Sequence, residues 1–169
     1  MIIGHLPAGY IIARLYAKRA APDEKTHNSI MAVGLAASLT PDLDLLYFYA
    51  FDRTVHHHLL FPHLPLFWLF SLGVVGLFAL CIKSQLLATF TSVAALGILS
   101  HLLLDTIAGG IAWALPWDPS LIRLVNIPAT HSHFLISFAL HWTFLLEISL
   151  WVVAIWLYCL PQRPSLKSR

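Results

Sequence analysis

The stretch LLATFTSVAALGILSHLLLDTI, residues 86–107, decides the fold. A membrane-spanning helix needs about 20 mostly apolar residues, and this stretch supplies them. Its single formally charged residue is Asp105, with His101 four positions before it. Residues four apart on a helix share a face, with Cβ atoms about 5–6 Å apart. The two side chains can therefore bind one metal ion together or pair with each other. An ionisable group at the bilayer centre costs about 2.5–3.5 kcal/mol even on the lenient insertion scale. Such a group persists where it faces a cavity, a partner or an ion.

Outward from this stretch, the hydropathy predicts further spans at about 29–50, 65–82 and 133–160. A shorter segment at about 5–19 carries Arg14 and either spans or lies at the interface. The chain is 59% hydrophobic and 11% charged, with a mean hydropathy of +0.77. A soluble domain carries about 25% charged residues, so a soluble fold is excluded. The expected fold is all-α: a multi-pass membrane bundle of four to five helices formed by a single domain over residues 1–160. A polar tail follows at 161–169. Membrane lipid is the expected surrounding and a candidate substrate, and no nucleic-acid partner is expected. Cys81 and Cys159 lie in apolar runs with no motif spacing. They read as buried small hydrophobes without a disulfide. The start, MIIGHLPAGY, lacks the basic region and cleavage site of a signal peptide.

Within 29–50 the run SLTPDLD predicts a break or kink at Pro41. Thr40 suits an N-cap and Pro41 the first position of a fresh helical turn. Asp42 would sit in that turn, where the helix dipole favours an anion. If all five segments cross, one side of the membrane holds Lys18, Arg19, Lys25, Lys83, Arg163, Lys167 and Arg169. The other side holds only Arg53 and Arg123. The basic side is expected to face the cytoplasm. On that map His27 alone falls on the inner side. The remaining nine of the ten histidines converge on the outer one.

There they meet acids. His5 opens the first segment, Asp42 and Asp44 lie in the outer half of the second, and HHHLLFPH (56–63) forms the loop before the third. His101 and Asp105 end the fourth. His131 and His133 precede the last span, and His141 lies two turns into it. Three consecutive histidines cannot all face one site, so His58 and His63 are the favoured pair from the loop. Asp42 and Asp44 would point about 200° apart on a regular helix. One of them would then hold metal while the other positions a group or acts as a base. Imidazole nitrogen with carboxylate oxygen suits zinc, and also manganese or iron. A bound divalent ion lowers the pKa of its water to about 7 and polarises a carbonyl or phosphoryl group. The donor count admits one ion or two. Glu147 reads as a buried polar residue, and GGIAWALPW (109–117) as an interfacial anchor.

The ordered set of an early His, PDLD, a His-rich loop, and HLLLD followed by GG…W…PW resembles the YdjM-like family of bacterial and archaeal inner-membrane metal-dependent hydrolases. The likeness covers about residues 1–117. The family's loop reads like His-Arg-Gly-x-Thr-His-Ser. HLLFPH here puts His58 and His63 in the two histidine places and lacks the residues around them. His5, Asp42, Asp44, His101 and Asp105 match their places. The pattern is also distantly similar to the all-helical zinc-dependent phospholipases C.

The expectation is thus a multi-pass inner-membrane hydrolase with a divalent metal, zinc before manganese or iron, near the outer face. Its substrate would be an ester or phosphoester, most readily that of a lipid or lipid head group. His5, Asp42, His58, His63, His101 and Asp105 would hold the metal. Asp44 would activate water as general base, in a role close to interchangeable with that of Asp42. The rivals are a metal-ion transporter, whose site should lie near the midplane, and a non-catalytic protein with a saturated structural metal site.

Overall fold

The computed structural model describes residues 1–54 and 56–161. Most of the tail, including Arg163, Lys167 and Arg169, lies outside the described residues. The described chain is helical, with seven α-helices and no named strand. These are α1 (His5–Ala20), α2 (Glu24–Leu39), α3 (Asp44–Ala50), α4 (Pro65–Cys81), α5 (Gln85–Ala108), α6 (Phe134–Ala139) and α7 (Phe144–Cys159). Among the described residues, two helical stretches are long and apolar enough to cross a membrane: Glu24–Ala50, which joins α2 to α3, and α5. The apolar helices α4 and α7 are shorter.

α1, α2 and α5 form the stem, and small residues let them approach closely. On α1, Gly9, Ala13 and Ala17 recur every four residues and are buried. A Cβ on Gly9 would overlap the Ser38 hydroxyl of α2. One on Gly34 would lie 2.6 Å from the Ala13 Cβ, and one on Gly97 would lie 3.0 Å from the Gly34 carbonyl oxygen. Between apolar helices in lipid there is no hydrophobic drive to associate, so close van der Waals packing over small residues takes its place. Ile30 and Val93 complete this core, both fully buried. The same four-residue rows end in polar groups. The α1 row runs His5–Gly9–Ala13–Ala17, and the α5 row runs Val93–Gly97–His101–Asp105. The face that packs the stem therefore delivers His5, His101 and Asp105 to one end of it.

The break at Pro41 takes a different form from the expected one. Thr40 is not an N-cap. Its hydroxyl donates back to the Ala36 carbonyl at 2.8 Å, and its backbone is helical. The chain tightens into a 3₁₀ turn, Thr40–Leu43, and runs on into α3. A 3₁₀ turn has 3.0 residues per turn, so residues two apart are separated by about 120° and not 160°. Asp42 and Asp44 thereby come nearer to one face than a regular helix allows.

The last predicted span, 133–160, is not continuous. α6 stops at Ala139, and a turn through Leu140–Thr143 precedes α7. His141 lies in that turn, with Nδ1 3.0 Å from the Thr143 hydroxyl. The cysteines also depart from expectation. Both are free and exposed, because each closes its helix, Cys81 on α4 and Cys159 on α7.

Candidate metal centre

The N-terminal ends of α1 and α4, the C-terminal end of α5 and the Pro41 turn meet at one end of the stem. Asp105 sits at the middle, 1% exposed. Its Oδ2 lies 3.1 Å from His101 Nε2, 3.4 Å from His63 Nε2 and 3.6 Å from His58 Nε2. Its Oδ1 lies 3.2 Å from His5 Nε2 and also contacts the Met1 amino group. Asp42 comes in from the open side, 30% exposed at its side chain. Its Oδ1 lies 3.6 Å from His101 Nε2 and 3.8 Å from His63 Nε2.

The far nitrogens of the three rings are all engaged. His101 Nδ1 lies 2.7 Å from the Ser38 carbonyl oxygen, and His58 Nδ1 lies 2.7 Å from that of Gly110. A carbonyl only accepts, so each Nδ1 carries the proton. His63 Nδ1 lies 2.5 Å from Asp44 Oδ2. Each contact has a local cause. In a 3₁₀ turn the donor for the Ser38 carbonyl would be residue 41, which is proline and has no N–H. That carbonyl is thus left for His101. Gly110 has φ +89, a left-handed backbone that turns its carbonyl to His58. A Cβ on Gly109 would lie 2.5 Å from His58 Cε1, so only glycine leaves the ring its place. The two glycines of 109–117, expected to serve an anchor, are walls of this site. Trp68 donates its indole N–H to the Pro62 carbonyl at 2.7 Å and steadies the 3₁₀ turn Phe61–His63.

With Nδ1 protonated, His101 and His58 present bare Nε2 lone pairs to a carboxylate. Lone pairs facing lone pairs repel, and a cation between them relieves this. His101 Nε2 and His63 Nε2 are also only 3.2 Å apart. Ligand atoms at about 2.0–2.1 Å from a tetrahedral zinc sit about 3.4 Å from one another, which is the spacing seen here. Buried polar atoms without a hydrogen-bond partner cluster at the same place: both nitrogens of His5 and Asp105 Oδ2. A histidine that ligates metal usually donates its other N–H to a carbonyl or carboxylate, as these three do. The donor set fits a divalent metal.

The possible ligand groups overlap. His5, Asp42, His101 and Asp105 make one, His57, His58 and His63 a second, and Asp42, Asp44 and His63 a third. All seven site residues expected from the sequence thus meet in one place. His57, which the sequence left either as a polar loop residue or as a residue supporting the ligands, joins them with Nδ1 3.5 Å from Asp44 Oδ1. His56 stays exposed, and His141 bonds Thr143 and not the cluster. Two charge effects are clear in the loop. Burial opposes charge on His63, but the Asp105 and Asp44 carboxylates beside it outweigh burial and raise its pKa to about 9. At His58 burial dominates and pulls the pKa down to about 3.

Glu147 has its partners in the chain's first residues. Fully buried, it accepts from the Ile2 N–H at 2.8 Å and the Ile3 N–H at 2.6 Å. Trp151 adds an indole N–H to the Ile3 carbonyl at 3.0 Å. α7 thereby holds the segment that leads into His5. No spacing rule connects residues 3 and 147, so the sequence offered no signal for this contact.

A family model described as YdjM inner membrane protein matches residues 1–164. The match extends through α6 and α7, well past the 1–117 that the motifs alone covered. No curated protein and no solved structure matches the chain.

Proposed function

The chain belongs to the family of YdjM inner membrane proteins, and on that premise we propose that it is a multi-pass, metal-dependent hydrolase of a lipid ester or phosphoester. One observation carries this reading: three imidazole Nε2 atoms lie 3.1, 3.4 and 3.6 Å from one buried carboxylate oxygen, each ring held from behind. His58, His63, His101 and Asp105 would hold the ion. His5 beside Asp105 Oδ1 leaves room for the donor set to serve a second. Zinc suits the set best, with manganese or iron as alternatives. When bound, the ion supplies a Lewis acid and a water acidic enough to ionise near neutral pH.

The two aspartates divide the remaining work. Asp44 is 3% exposed and engaged by His63 Nδ1, so it fixes that ring and its tautomer. Asp42 is the carboxylate on the open side, close to His63 and His101. We assign the proton-accepting role to Asp42 and the positioning role to Asp44, exchanging the two roles that the sequence left nearly interchangeable. The open side argues against a saturated structural site, which keeps no free position. The excess of basic residues at the opposite end favours a site facing away from the cytoplasm.

The test is the metal content of detergent-purified protein by mass spectrometry, wild type beside His101→Ala and Asp105→Ala. One or two equivalents of a divalent metal, lost in both variants, support the reading and direct a screen of phospholipids and lipid phosphates. A wild type that stays metal-free under metal-replete conditions overturns it.

A further inference from the structure

Between α4 and α5 runs an apolar groove of about 750 Å³. It exists because small residues face each other across it: Gly73 and Gly76 on α4, Ala88 and Ala95 on α5. A Cβ added at Gly73 would meet nothing within 4 Å. Two hydroxyls line it, yet neither has a hydrogen free to donate. Thr91 donates to the Leu87 carbonyl and Ser92 to the Ala88 carbonyl, both at 2.8 Å. The groove therefore suits an occupant with no polar atoms along its length.

Its extent and its position narrow that occupant further. From Pro65 to Leu80 the α4 wall rises about 22 Å at 1.5 Å per residue. One leaflet of a bilayer's hydrocarbon core is about 15 Å deep, half of about 30 Å. The end of the groove nearest the metal centre is made by Pro65, Trp68 and Trp113. Pro65 follows His63 by two residues. Trp68 donates to the Pro62 carbonyl, and Trp113 donates to the Thr106 hydroxyl, next to Asp105. The α4 face around it is apolar and exposed, with Leu69, Phe70, Leu77 and Leu80 outward, so in a bilayer the opening would face hydrocarbon. We propose that this groove holds one acyl chain of the lipid whose head group reaches the metal centre. The proposal rests on the hydrolase reading for its link to catalysis. The occupancy of the groove does not.

Photo-crosslinking tests the two separately. The probe is a phosphatidylglycerol with a diazirine at the end of one palmitoyl chain, offered to the full protein in nanodiscs, with adducts mapped by mass spectrometry. The expected adducts fall several-fold more often on Leu72, Thr91 and Ala95 than on Leu145, Val152 and Trp156, which are exposed on α7. Gly73→Phe should fill the groove and remove that preference, and Ala95→Leu serves if the first variant does not fold. His101→Ala should leave the preference unchanged. Equal labelling of groove and α7, or labelling indifferent to both groove-filling variants, overturns the proposal even if hydrolysis is found. Groove labelling in a protein that binds no metal overturns the hydrolase reading and leaves the chain site standing. Where hydrolysis is found, Gly73→Phe should raise KM for long-chain lipid and leave a short-chain ester unaffected. An equal effect on both substrates would count against the groove as the substrate's subsite.

Discussion

The two halves of the metal centre are held in opposite ways. His5, His101 and Asp105 stand on helices whose packed rows of small residues continue into the site, so their positions follow from helical geometry. His58 and His63 stand on two consecutive 3₁₀ turns and are positioned by contacts borrowed from elsewhere: the Gly110 carbonyl, the Asp44 carboxylate, and the Trp68 indole behind Pro62. A helix places a ligand through its repeat, whereas a loop places one only through partners. Damage to the helical half should therefore abolish the site, and damage to the loop half should loosen it by degrees.

The largest effect is expected at the shared centre. Asp105→Asn removes the one carboxylate that faces every ring. Its loss of metal affinity should exceed the 10–100-fold, roughly, that removal of an outer partner costs, read by metal content and by competitive chelation. If Asp105→Asn keeps its metal, the two halves do not share a carboxylate. Next comes Asp44→Asn. As a positioning residue it should lower metal affinity by about 10–100-fold while metal-saturated protein keeps most of its kcat. Asp42→Asn should do the reverse, sparing metal affinity more than turnover. A variant pair that behaves the other way round would return the base role to Asp44.

A pH effect separates the halves without mutation. In metal-free protein the raised pKa of His63, about 9 against an ordinary 6.5, means that its proton stabilises the fold. That contribution is complete below about pH 6.5 and is lost as pH rises through about 9. At 1.36 kcal/mol per pKa unit it amounts to about 3 kcal/mol at most. Thermal unfolding of the metal-free protein should show a lower Tm at about pH 10 than at about pH 6, and His63→Gln should flatten the difference. Metal must displace the same proton, so its affinity should climb with pH over this range. The smallest effect tests the scaffold away from the site. Ser84 caps α5 by accepting from the Leu87 N–H at 3.2 Å. Ser84→Ala should cost about 0.5–2 kcal/mol in unfolding experiments and leave metal content unchanged.

The helical half was legible in the sequence because a four-residue interval has one geometric meaning on a helix. His101 and Asp105 could be paired on paper, and α5 runs within a residue of the stretch that named it. The Pro41 turn was only half legible. Proline marked the place, but whether the chain breaks or tightens depends on what Thr40 bonds, and it turns back to Ala36. The break between α6 and α7 left no clear signal, since FLISFALHWTFLLE carries no proline or glycine. The loop half was legible as composition and not as geometry. His58 and His63 could be named, yet the carbonyl that sets the His58 tautomer belongs to Gly110, a residue with no side chain to read.

Every donor of the centre lies between His5 and Asp105, and the last backbone group it uses is the Gly110 carbonyl. During synthesis the donor set is thus complete before α6 and α7 have been made. Glu147, on the last helix, then secures the segment ahead of His5. The centre is thus encoded ahead of the helix that holds down its first segment.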